Sequence, residues 1–127
     1  VRASKELRLA VPGGGEVSAL FDRPENPSWL LVLAHGAGAG MTHPFLESLS
    51  QELGAARIGT LRYQLPYMEH RRRVPDSPAI LTATVRAAVD KAAELAPDLP
   101  LLAGGKSLGG RMTSRAASEK ALANVRG

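Results

Sequence analysis

The sequence contains no cysteine. Disulfides, thiol nucleophiles and thiolate metal ligands are therefore excluded. The composition fits a reducing compartment, and a cytoplasmic location is expected. Aromatic residues are scarce at 4%, so a core must be built from Leu, Val, Ile and Ala. No apolar run approaches the roughly 20 residues that span a bilayer. The opening stretch VRASKELRLAV lacks the apolar centre of a signal peptide, and no membrane partner is expected. Val1 need not be the natural first residue. An extended charged face is missing too. Much of the excess behind the net charge of +4 sits in one block, Arg71, Arg72 and Arg73, which reads as a solvated loop. No aromatic side chains interleave with these arginines as stacking platforms, and no zinc or helix-turn-helix spacing occurs. No nucleic-acid partner is expected.

What is present fits one globular domain or part of one: 127 residues, 44% apolar and 22% charged. Lys5 to Val11 alternates, with Leu7, Leu9 and Val11 set against Glu6, Arg8 and Ala10, and reads as a half-buried strand. The PGGG turn at Pro12–Gly15 leads to a second strand, Glu16–Phe21, giving an N-terminal β-hairpin. Trp29–Ala34 (WLLVLA) is a continuous apolar run, as in a strand buried on both faces. Pro44 sits at the start of a helix whose leucines Leu46, Leu49 and Leu53 recur at helical spacing, with Gly54 as its stop signal. Arg57–Tyr63 reads as a further strand, and QLPYMEHRRRVPD (Gln64–Asp76) as a long irregular loop. Asp76 or Ser77 caps the next helix, with Pro78 just inside it; Leu81, Val85, Ala88, Ala92 and Leu95 line its apolar face. Leu99–Ala103 is a short apolar strand, Gly109 to about Ala123 is helical, and NVRG reads as the first residues of another strand. Strands alternating with helices imply a mostly parallel sheet covered by helices on both faces, an α/β fold.

The stretch LLAGGKSLGG (Leu101–Gly110) admits three readings. A phosphate loop, G-x-x-x-x-G-K-[ST], would require its first glycine at residue 100, which is Pro100. A glycine-rich turn whose serine only caps the helix is the plainest. The third is a G-x-S-x-G nucleophile elbow, Gly105-Lys106-Ser107-Leu108-Gly109. There a strained strand-to-helix turn lifts the Ser107 hydroxyl clear, and Gly105 and Gly109 avoid a clash as the chain folds back. A second feature favours the elbow. HGAGAG follows the apolar strand, where such a fold carries its other oxyanion donor. Gly36 and its neighbouring glycines allow the turn that points the Ala37 N–H across the sheet end, toward the partner N–H of Leu108. His35 is expected to hold this loop by hydrogen bonds rather than to take protons. Lys106 carries no mark of a catalytic base.

LAHGAGAGMTHPF, YQLPYMEHRRRVPD and GGKSLGGRM together resemble the small bacterial α/β-hydrolases of the dienelactone-hydrolase-like group. The resemblance implies an α/β-hydrolase fold, a Ser107 nucleophile, oxyanion donors at Ala37 and Leu108, a small-molecule substrate, and no metal or organic cofactor. Arg71, Arg72 and Arg73 are candidate contacts for an acidic substrate. The hydrolase chain order is Ser, then Asp or Glu, then His. Here His35, His43 and His70 all precede Ser107, and the only later acid, Glu119, is expected inside a helix. Residues 1–127 are therefore expected to be a partial domain, running through the elbow and its helix, with the C-terminal part of the fold absent. The rival expectation is a natural truncation, a hydrolase-like scaffold that binds a partner without catalysis.

Overall fold

The structure is a computed structural model that describes residues 4–127; Val1 lies outside the described residues. The alternating opening stretch forms β1 (Lys5–Val11), which turns into β2 (Gly15–Asp22). The turn is closed by the Gly14 N–H on the Val11 carbonyl at 2.8 Å. Pairing is antiparallel, from Lys5 opposite Phe21 to Val11 opposite Gly15. The apolar run becomes β3 (Trp29–Ala34). Then follow α1 (Pro44–Ala55), β4 (Ile58–Tyr63), α2 (Pro66–Glu69), α3 (Pro78–Leu95), β5 (Leu101–Gly105) and α4 (Leu108–Ser118).

Several boundaries differ from expectation, each for a local reason. Helix α1 passes through Gly54, and the left-handed residue that ends the turn is Arg57, at φ 66. The segment Gln64–Asp76 is not wholly irregular: Pro66–Glu69 makes one helical turn, α2. Strand β5 begins two residues late, because the Leu99 N–H turns back onto the Ala96 carbonyl, and it extends to Gly105 in register with β3. Helix α4 stops at Ser118. Glu119 is its C-cap, not an interior residue, and Lys120 at φ 60 breaks the helix. The closing NVRG does lie along β5: Arg126 donates to the Leu101 carbonyl and Ala103 to the Gly127 carbonyl, both at 2.8 Å.

The sheet order is β1-β2-β4-β3-β5. Strand β3 is parallel to both β4 and β5, and the hairpin joins antiparallel through β2. Successive residues of a strand face opposite sides. In β4, Leu61 and Tyr63 face the main core with Leu81, Val85, Ala88 and Val89 of α3. Arg62 faces the other side, where it meets Glu47 of α1. Leu20 and Leu33 flank Arg62 in register on that side. Helix α3 also packs on α4, and its start is fixed by Ser77, whose hydroxyl accepts the Ile80 N–H at 3.4 Å. Because β3, β4 and β5 are parallel, their carboxyl ends share one rim, where such sheets place their ligands. From that rim spring the loops after Ala34, Tyr63 and Gly105.

Candidate active site

Ser107 stands between β5 and α4 with φ 53 and ψ −114. Backbone of this kind costs a residue with a Cβ about 1–3 kcal/mol and persists only where the surroundings impose it. The surroundings here are glycines in close approach. A Cβ on Gly105 would lie 2.6 Å from the Ala34 carbonyl oxygen, and one on Gly109 would lie 2.5 Å from that of His35. Both residues must therefore lack a side chain for the elbow to press on β3. Ser107 is exposed, and its side chain makes no capping hydrogen bond to α4. The turn is thus not explained by a serine cap. Leu108 is the first residue of α4, one of the helix-start N–H groups that have no partner within the helix.

The loop after β3 packs directly on this elbow. A Cβ on Gly36 would sit 3.6 Å from the Cβ of Ser107 and 3.3 Å from the Lys106 carbonyl oxygen. The Lys106 N–H in turn donates to the Ala34 carbonyl at 3.1 Å. The segment after β4 then grips the loop along its length. The Leu65 N–H donates to His35 Nε2 at 2.9 Å. The Gly38 N–H donates to the Tyr67 hydroxyl oxygen at 3.1 Å, and the Met41 N–H to Gln64 Oε1 at 2.8 Å. Arg62, 1% exposed, donates to the Met41 carbonyl at 3.3 Å. Neither the Ala37 nor the Leu108 N–H has a backbone acceptor among the described residues.

His35 is a positioning group in this arrangement. Its Nε2 accepts from Leu65, so its Nδ1 carries the proton and donates to the Gly36 carbonyl at 2.7 Å. Burial pushes its pKa down, and the Gly36 hydrogen bond only partly opposes this. A neutral imidazole with both nitrogens engaged has no lone pair left for a serine proton. His43 uses Nδ1 to cap α1 by accepting from Phe45 N–H, and His70 faces the Gly14 carbonyl.

Of the residues singled out in the sequence, the structure packs Gly105, Ser107 and Gly109 of the elbow, with Leu108 between them, against Gly36 and His35, and Ala37 follows Gly36 on the same loop. Ser107 opens on a groove of about 800 Å³ whose cations are Arg111 and Arg126, not Arg71, Arg72 or Arg73. Arg72 is held by Asp76 at 3.0 Å, and that carboxylate also accepts the Tyr67 N–H at 2.7 Å. The residues missed were Arg62, Gln64 and Tyr67. One sign was available for the first, a charged residue within a strand expected to be buried in the sheet.

Residues 27–127 match the family model described as alpha/beta hydrolase domain. No curated protein matches the chain in sequence. Among solved structures, the dienelactone hydrolase from Anabaena variabilis superposes with a TM-score of 0.80 at 20% identity, over 98% of this chain and 62% of that one. XC6422 from Xanthomonas campestris, an α/β serine hydrolase without a lid, gives 0.74 at 19%, over 94% and 57%. A thermostable carboxyl esterase from Bacillus coagulans gives 0.81 at 17%, over 100% and 43%. At such identities the likeness is one of fold, and the chain spans less than two thirds of each of these proteins. Among the described residues no helix is long and apolar enough to cross a membrane. The sheet order, the serine on its strained turn and the family match over residues 27–127 agree, and the chain belongs to the alpha/beta hydrolase domain family.

Proposed function

We propose that the protein is a serine hydrolase that cleaves a small-molecule ester or related acyl bond, in the cytoplasm, through a Ser107 acyl-enzyme. Ser107 Oγ attacks the acyl carbon while its proton passes to a general base. The carbonyl oxygen becomes an oxyanion and accepts from the Ala37 and Leu108 N–H groups; loss of one such donor costs about 3 kcal/mol. Collapse expels the alcohol, which takes the proton back from the base. Water then repeats the sequence, releasing the acid and restoring Ser107. No step calls on a metal or an organic cofactor. The observation that carries this reading is the Ser107 backbone at φ 53 with no capping bond on its side chain.

The three histidines are engaged elsewhere, His35 with the Gly36 carbonyl, His43 with the Phe45 N–H and His70 with the Gly14 carbonyl, so the base and its carboxylate partner are not assigned among the described residues. Arg71 and Arg73, which pair with no carboxylate among the described residues, would attract an acidic substrate toward the rim. The same lack of a base beside Ser107 is what favours the second reading, a non-catalytic scaffold. One experiment separates them. The intact protein is treated with a fluorophosphonate probe, and the labelled residue is located by mass spectrometry. The expected result is labelling at Ser107 that Ser107→Ala abolishes. Equal labelling of the variant would refute the nucleophile assignment, and no labelling of the wild type would favour the scaffold.

A further inference from the structure

Lys106 is the residue before the elbow serine, and its side chain is exposed. Its backbone is fixed at both ends: the N–H donates to Ala34, and the carbonyl accepts from Gly109 at 3.1 Å. Its ammonium lies 5.0 Å from the ring centroid of Phe45. Phe45 is 50% exposed, one of two large apolar side chains so placed among the described residues, the other being Val74. It stands at the start of α1, where the loop carrying Gly36 and Ala37 ends. No carboxylate of the described residues pairs with Lys106. The acid two residues from Phe45, Glu47, is taken up by Arg62 at 3.2 Å.

We propose that Lys106 and Phe45 form a binding subsite on the rim of the Ser107 site for the carboxylate of an aromatic acid. An ammonium has three donors, and an aromatic face occupies only one side of it. The remaining N–H groups are open to a carboxylate, while the exposed part of the Phe45 ring offers an apolar surface for an aryl group. The backbone of Lys106 is held by its two hydrogen bonds, so the ammonium is presented from a fixed point beside Ser107. The ligand class is therefore an aryl carboxylate, borne by either half of the bond to be cleaved. This inference leans on the serine-hydrolase reading only for that bond; the binding itself does not require catalysis.

Equilibrium binding to the intact protein tests it, with benzoate, benzyl alcohol and acetate as probes. Benzoate should bind more tightly than either of the others. Lys106→Met should weaken benzoate about tenfold, the ordinary cost of a hydrogen bond to a charged group, with benzyl alcohol changed less than about twofold. Lys106→Arg should keep benzoate within about threefold, which excludes a folding defect as the cause. Phe45→Ala should weaken benzoate and leave acetate as it was. Benzoate binding that is absent from the wild type, or unchanged in Lys106→Met, overturns the subsite. Benzoate binding that behaves as expected in a protein that resists the fluorophosphonate probe keeps the subsite and removes the hydrolase reading.

Discussion

Ser107 carries the tension of the site in its own backbone. At φ 53 and ψ −114 a glycine would be at ease, because without a Cβ it enters positive φ about as readily as negative. Ser107→Gly is therefore expected to raise the melting temperature, by an amount equivalent to about 1 kcal/mol, while removing the nucleophile. A fall in melting temperature on scanning calorimetry would mean that relief of the strained backbone does not exceed the entropy that glycine adds to the unfolded chain, and would refute the estimate of strain. At this scale much of the site could be read from the chain. Gly105 and Gly109 announce a close approach, and the structure finds Ala34 and His35 there. His35 was legible as a loop holder because every histidine precedes the serine. Gln64 and Tyr67 were not legible, and Arg62 was so only as a charge within a strand. Their partners are backbone groups more than 20 residues away, and a sequence records no such pairing.

Among the elements, the short helix α2 shows what periodicity cannot reveal. Four residues are too few for a 3.6-residue pattern, so Pro66–Glu69 was indistinguishable from loop. Tertiary bonds, not propensity, fix it. Glu69 accepts from the Ser18 N–H at 2.8 Å, from the Ser18 hydroxyl at 3.1 Å and from Arg8 at 3.0 Å. Burial raises the pKa of its carboxyl, but the hydrogen bonds from Ser18 and Arg8 outweigh this and hold it below the usual value. With a depressed folded-state pKa, the stabilisation is present above the unfolded value and is lost as the pH falls through the folded one. Glu69→Gln should thus cost about 1–2 kcal/mol at pH 7, and the gap to wild type should close between about pH 5 and pH 3. Denaturant midpoints of the two proteins at each pH measure it. A gap that does not change with pH would show that the hydrogen bonds from Ser18 and Arg8 are lost for reasons of shape and not of charge. The long elements were legible for the opposite reason. Trp29–Ala34 was placed to the residue because its uninterrupted apolar run can be buried only from both sides of a sheet.

The whole molecule sets its two edges very differently. At one, the β1–β2 hairpin turns its outer strand to solvent, where charged Lys5, Glu6 and Arg8 discourage further pairing. At the other, β5 is met only by the residues around Val125, through the Leu101 carbonyl and the Ala103 N–H. The groove beside it runs past Ala103, Gly104 and Gly105 and is floored by Leu122 and Val125. Glycine carries no charge or bulk to repel an approaching strand, and an incompletely paired edge with apolar neighbours promotes association. The three solved structures compared above are longer than this chain, which leaves room in the fold for chain that covers such an edge. A polypeptide limited to residues 1–127 is therefore expected to self-associate, by β5 meeting β5 or by exchange of the Val125–Gly127 segment, and to do so more at higher concentration. Sedimentation velocity across a concentration series is the measurement. Charging the edge by Gly104→Lys, a position where an added Cβ meets nothing within 4 Å, should shift the distribution toward monomer without lowering the melting temperature. A polypeptide that is monomeric at every concentration and melts cooperatively would show that the three residues at the end of the chain already close the sheet.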